Sequence, residues 1–197
     1  MNTPGSLLNK IKVLNKQENV NVQISLIEMA IDYIKEYHEG QKRNSGEPYY
    51  IHPIEVAYIV SEYCFDTETI IASLLHDIVE DTDSSLIQIE LIFGKRIAEI
   101  VDAVTKITMD YKLSPEEVLY KLNMSSIQDI NKKALLIKLV DRLHNIRTIQ
   151  HIKSIDKRKR IAQETIEVYV LLAKRINLIK IEQELFDTSN KILNSSS

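Results

Sequence analysis

Four glycines and four prolines in 197 residues leave this chain few places to reverse sharply. These two residues supply most of the special φ values that tight turns need, and together they make up roughly 12% of average proteins. An all-β chain reverses roughly every 8–12 residues, so so sparse a supply argues against hairpins and for helices. The apolar share of 44% is enough to build a core, and the length fits one domain, since domains cluster at roughly 100–200 residues. The sequence therefore predicts an all-α domain of about eight to nine helices.

Local patterns place those helices. Residues 1–19 read as a polar, mixed segment, and apolar spacing becomes regular only at Val22, Leu26, Met29, Ala30 and Tyr33, the rhythm of one helical face. QKRNSGEPYYI holds Gly46 and Pro48 among polar residues and reads as a loop, after which Pro53 suits the first turn of a helix. Asp66 and Thr67 are good caps for a helix running through ETIIASLLHDIVED; Thr82–Ser85 then recap a short helix that ends at Gly94. Further helices are expected from Lys95 to about Met109, from Ser114 by its capping box with Glu117, over 129–150, and from Asp156 to Arg175. A short piece near Ile179–Phe186 is expected to pack back. The domain is thus read as 20–187, with a polar tail over 188–197.

Composition also narrows the function. With 25 Lys plus Arg against 28 Asp plus Glu, the net charge of -3 offers no broad positive field for a nucleic acid. Cys64 stands alone, which excludes an intrachain disulfide framework and a multi-cysteine zinc site and fits a reducing cytoplasm. No apolar run reaches the length of a membrane span, and the start MNTPGSLLNK lacks the layout of a secretory signal.

Two polar insertions in apolar helices stand out. Among five histidines, only His76 is followed by an acid within a strongly apolar stretch, and Glu80 and Asp81 lie four residues beyond His76 and Asp77. A lone His-Asp dipeptide is ordinarily structural; four polar groups on one patch of an apolar helix are costly to bury without a partner. In ALLIKLVDRLHNIRTIQ, Asp141, Asn145 and Thr148 fall on one helical face, which serves equally as a pocket wall or as a solvated stripe with an ion pair at Arg142. His52 adds an imidazole at a helix start. Two neutral imidazoles and two carboxylates suit a single borderline-to-hard divalent ion such as Mn²⁺.

The order His52, then His76-Asp77, then Asp141 resembles the H…HD…D pattern of HD-domain metal phosphohydrolases, a helical family. More narrowly, RNSGEPYYIHP (43–53), LLHDIVEDT (74–82), FGKRIAEIVDAVTKI (93–107) and KLVDRLHNIRT (138–148) resemble the (p)ppGpp hydrolase domain of the RelA/SpoT family, over about residues 22–187. That resemblance implies a metal-dependent 3′-pyrophosphohydrolase acting on a small guanine nucleotide, with His52, His76, Asp77 and Asp141 as metal ligands. It implies Glu80 and Asp81 as the acidic pair that prepares the attacking water, and Arg43 as a catalytic and binding contact to phosphate. Asn44, Tyr49, Asn145 and Thr148 match substrate-contact positions, Tyr49, Asn145 and Thr148 those of nucleoside contacts; many members carry Lys where Asn44 stands, so one cationic contact differs here.

Rival readings are another HD-domain nucleotide phosphohydrolase and a non-catalytic regulatory module with the same fold. His144 is expected to support the site from behind its ligands, whereas Tyr58, Tyr63, Tyr111, Tyr120 and Tyr169 and the KRKR run at 157–160 are assigned no chemistry. AKRINLIKIEQELFD (173–187) resembles the connection into the synthetase half of longer members, with Asn177 in place of the usual Gly; Asn also tolerates the left-handed conformation of a helix stop. The expectation is either a stand-alone or split hydrolase or a piece of a longer enzyme, without alarmone synthesis of its own; the oligomeric state is left open.

Overall fold

The computed structural model of the protein describes residues 2–109, 117 and 129–195. Helices α1 (Pro4–Glu18), α2 (Ile24–Tyr37), α3 (Ile51–Val60), α4 (Thr67–Leu74), the single turn α5 (Ile78–Asp81), α6 (Leu86–Phe93) and α7 (Lys95–Met109) form its first part. Next come α8 (Asp129–Arg147), a 3-10 turn (Ile149–His151), α9 (Ile155–Glu164), a π-helical turn (Thr165–Val170), α10 (Leu171–Arg175) and α11 (Ile179–Asn194). Among the described residues there is no strand, only an isolated bridge between Lys42 and Pro48. The all-α expectation holds.

Several caps act as the sequence predicts. Asp66 accepts the Thr69 N–H at 2.8 Å, and Ser85 and Gln88 form a reciprocal capping box at the start of α6. Asn177, with φ of 60°, takes the left-handed conformation that ends α10. The capping box expected at Ser114, and Tyr111 and Tyr120, lie outside the described residues.

Helix α8 is the spine. It packs against α3, α4, α7 and α11, and nearly all of its residues from Ala134 to Ile146 are buried. A helix buried on most of its circumference must satisfy any polar group it carries from its neighbours. Asp141 and Lys138 are such groups, which is why the site forms where α8 passes α3 and the α4–α5 junction.

Three expectations need correction. Residues 1–19 are not a polar appendage: Thr3 caps α1, Leu7 and Ile11 are fully buried, and Lys10 reaches the Tyr58 carbonyl at 2.6 Å and Glu62 at 2.9 Å. The widely spaced apolar residues of that segment were enough, because α1 needs only a narrow stripe against α2 and α3. The 188–197 segment is not simply a tail either, since α11 runs on to Asn194, with Ser189 buried and Ile192 and Leu193 against the core.

The third correction shapes the site. One helix through residues 67–81 was expected, but α4 stops at Leu74 and the chain turns through 75–77 before α5 begins. His76 contributes to the stop, because its Nδ1–H donates to the Ser73 carbonyl at 2.8 Å. Glu80 and Asp81 are therefore presented by a separate turn, whose N–H groups bond to the Asp77 carbonyl at 3.0 and 2.9 Å.

Candidate metal and nucleotide site

Four side chains converge between α3, the α4–α5 junction and α8. His52 Nε2 lies 3.1 Å from Asp141 Oδ1 and 3.6 Å from Asp77 Oδ2. His76 Nε2 lies 3.7 Å from Asp141 Oδ1 and is in contact with Asp77 Oδ1. Ligand atoms of His52, His76 and Asp141 all fall within 4.8 Å of one another, and Asp77 closes the remaining side. All four residues are at least nine-tenths buried.

Backing contacts fix the direction of each ligand. Because the His76 Nδ1–H is committed to the Ser73 carbonyl, Nε2 faces the cage. His52 Nδ1 shares a 2.9 Å hydrogen bond with His144 Nδ1, so the support expected of His144 is seen directly. Burial, with the neighbouring His52 and Arg43, pushes His144 down to about 3, and a neutral ring can accept the His52 proton. Burial likewise lowers His52, leaving its Nε2 lone pair free. Asn145 donates to Asp141 Oδ1 at 2.7 Å while Arg43 donates to Asn145 Oδ1 at 2.8 Å, so one amide links the arginine to the cage.

The charges argue for a cation. Burial alone would raise both aspartates, yet the adjacent imidazoles hold Asp77 at about 2 and Asp141 well below the usual range. Burial opposes protonation of His76 as well, but the Asp77 and Asp141 charges raise it to about 10. Two buried carboxylates facing two imidazoles thus call for positive charge between them. Asp77 Oδ1, although buried, accepts no hydrogen bond. Two imidazole nitrogens, two carboxylates and an orphaned buried oxygen fit a divalent ion. A proton and a divalent ion would compete for His76 Nε2, which its carboxylate neighbours raise, so ion uptake should release protons and affinity should weaken as pH falls. Calorimetric titrations in buffers of different ionisation enthalpy measure this; proton-neutral binding would count against His76 as a ligand.

Beside the cage lies a cleft of about 160 Å³ lined by Arg43, Glu80, Asp81 and Lys138 as well as the ligands. Burial raises Glu80, with Lys138 pulling the other way. This cleft adjoins a larger cavity of about 400 Å³, sharing Arg43, Lys138, Asp141 and Asn145 with it. The structure therefore brings together the expected metal ligands, the acidic pair and the Arg43 loop. That loop is closed by Arg43 N–H to the Glu47 carbonyl at 3.0 Å and Tyr49 N–H to the Gln41 carbonyl at 3.0 Å, with Gly46 at φ of 89° permitting the reversal. Arg43 Nη1 is buried and has no hydrogen-bond partner.

Asn44, Asn145 and Thr148 line the larger cavity, and the Thr148 hydroxyl donates back to the His144 carbonyl at 3.0 Å. Tyr49 lines the smaller cleft, where its hydroxyl meets Asp77 and Asp81. Sequence reasoning missed Lys138, 3.7 Å from Asp141 Oδ2, although a lysine three residues before Asp141 shares its helical face. It also passed over Tyr169 and Lys157, both of which line the larger cavity. Asp141 is buried and no solvated stripe forms; Arg142 pairs instead with Glu164 at 2.9 Å and donates to the Tyr169 hydroxyl at 2.8 Å, joining α8 to the π-helical turn.

A model of the HD-domain family matches residues 30–179. Over 167 residues the chain is 44% identical to the bifunctional (p)ppGpp synthase/hydrolase SpoT of Escherichia coli K12, an alignment covering 83% of this chain and 23% of that protein. It is also 44% identical to the guanosine-3′,5′-bis(diphosphate) 3′-pyrophosphohydrolase of Aquifex aeolicus, over 85% of this chain and 24% of the relative. The chain thus spans about a quarter of the length of these curated relatives. Among solved structures, a metazoan ortholog of SpoT that hydrolyzes ppGpp and plays a role in starvation responses is similar at a TM-score of 0.57 and 25% identity, covering 88% of this chain and 96% of the other.

Proposed function

This chain is an HD domain of the RelA/SpoT family, and from that membership we propose that it hydrolyses guanosine 3′,5′-bis(diphosphate) and its pentaphosphate form at the ribose 3′ oxygen. The products are GDP or GTP and pyrophosphate. The observation that carries the reading is the adjacency of the His52/His76/Asp77/Asp141 cage to a cleft holding Glu80, Asp81 and an arginine with an unused buried donor.

His52, His76, Asp77 and Asp141 would hold a divalent ion, Mn²⁺ by the mixed nitrogen and oxygen donor set, which would lower the pKa of water and shield phosphate charge. The residues of the chain do the rest. Glu80 and Asp81 orient a water and accept its proton as its oxygen adds to the phosphorus attached at the ribose 3′ oxygen. Arg43 directs its unpaired Nη1 to the phosphate oxygens while Asn145 holds Nη2, and Lys138 adds a second positive charge. The bond from phosphorus to the 3′ oxygen breaks, and that oxygen takes up a proton. The nucleoside and its 5′ phosphates occupy the larger cavity, against Asn44 and Thr148.

Incubating Mn²⁺-loaded protein with the tetraphosphate and separating the products tests this. Equimolar GDP and pyrophosphate are expected. Orthophosphate release, or turnover of nucleoside monophosphates in preference, would instead indicate a different HD phosphohydrolase, and absence of turnover a regulatory module.

A further inference from the structure

Tyr49 closes the Arg43 loop one turn before His52, and its hydroxyl donates toward two carboxylates at once: Asp81 Oδ2 at 2.7 Å and Asp77 Oδ2 at 3.0 Å. A phenol has one proton, so the two acceptors share it and are held together against their mutual repulsion. The ring is itself braced. It stacks on His38 at 4.6 Å; His38 is buried, its Nδ1 lies 2.9 Å from Gln41 Oε1, and Gln41 Nε2 donates to the Asp81 carbonyl at 3.2 Å. With Oδ2 of Asp77 engaged by the phenol, Oδ1 is left without a hydrogen bond inside the cage.

We propose that Tyr49 is a positioning residue that ties the metal cage to the acidic pair, holding Asp77 so that Oδ1 alone serves the ion and holding Asp81 beside the cage and out of it. The resemblance implied a nucleoside contact at this position. The hydroxyl such a contact would use is already committed, one ring face is covered by His38, and Tyr49 lines the cleft around the cage while Asn44 and Thr148 line the larger cavity. The tie also explains how a separate turn, α5, is set at a fixed place relative to the ligands without a continuous helix. Outer partners of metal ligands commonly set both affinity and rate in this manner.

This inference rests on the metal-hydrolase reading, and its test separates the two. Tyr49→Phe keeps the ring and the His38 stack and removes only the hydroxyl. Mn²⁺ titration of chelator-stripped protein should show affinity weakened about 10-fold, and kcat for the tetraphosphate should fall about 10-fold with KM changed less than about twofold. In an Asp81→Asn background the same change should lower kcat much less than in the wild type, because the two residues act on one step. A raised KM with unchanged metal affinity and kcat would restore the nucleoside contact and overturn the proposal; so would no change in any of the three. If the wild type proves inactive on the tetraphosphate, the proposed function fails, whereas the Mn²⁺ titration still decides whether Tyr49 positions the cage.

Discussion

Replacing Asp77 or Asp141 by alanine is expected to leave a folded protein that no longer retains a divalent ion and no longer releases pyrophosphate from the alarmone. Each carboxylate sits against both cage imidazoles, Asp141 at 3.1 and 3.7 Å and Asp77 at 3.6 Å and in direct contact. Removing either deletes a ligand and also leaves the remaining groups less well balanced, since the carboxylates are what keep His76 raised to about 10. Metal binding and water activation depend on the same donors, so occupancy and rate should disappear together. Metal analysis, helical signal and product release on the same samples measure this. Full occupancy in both variants would show that the ion, if any, is held elsewhere. Asp141→Ala should be the more disruptive of the two, because Asn145 loses its acceptor at 2.7 Å and the support of Arg43 weakens with it.

Glu80→Gln and Asp81→Asn should behave differently: the ion stays and the chemistry goes. Neither carboxylate belongs to the cage, and both line the cleft beside it. The substitutions preserve shape while removing charge and basicity, and loss of a positioned acid–base group typically lowers turnover by about 10²-fold or more. Burial lifts Glu80 above its ordinary value, the direction that suits a general base working near neutral pH. Asn at position 81 still presents an oxygen to the Tyr49 hydroxyl, so the loss there should be chemical and not positional. Mn²⁺ and nucleotide affinities should change little. Near wild-type turnover in both variants, with metal in place, would make the pair structural and remove the proposed route for the proton.

Much of this arrangement was legible in linear order. The proposed ligands, the acidic pair and Arg43 fall in motifs dense enough to be read one by one, and the structure gathers them at a single cleft. Helix limits at Lys95 and Met109, the caps at Asp66 and Ser85, and the left-handed stop at Asn177 were set by local chemistry that a short window contains. The N-terminal helix was not legible, because its few apolar residues matter only against α2 and α3. The break after Leu74 escaped for a related reason: ETIIASLLHDIVED has uninterrupted helical propensity, and what ends the helix includes a side-chain bond from His76 to Ser73.

By itself, then, the sequence determined the helical class, the kind of donor atoms and the family, since these depend on composition, residue type and order along the chain. Only the tertiary structure decided which atoms of those residues are used. Tyr49 has a hydroxyl in any context, but its commitment to Asp77 and Asp81 depends on a loop, a turn and a helix meeting. Lys138 is one lysine among many until burial places it 3.7 Å from Asp141. Arg43 offers a free donor to the cleft because Asn145, 102 positions along the chain, holds one nitrogen and leaves the other buried and unpaired. Such pairings are set by packing between segments distant in sequence, where the cost of an unsatisfied buried polar group selects the partner, and no local pattern records that choice.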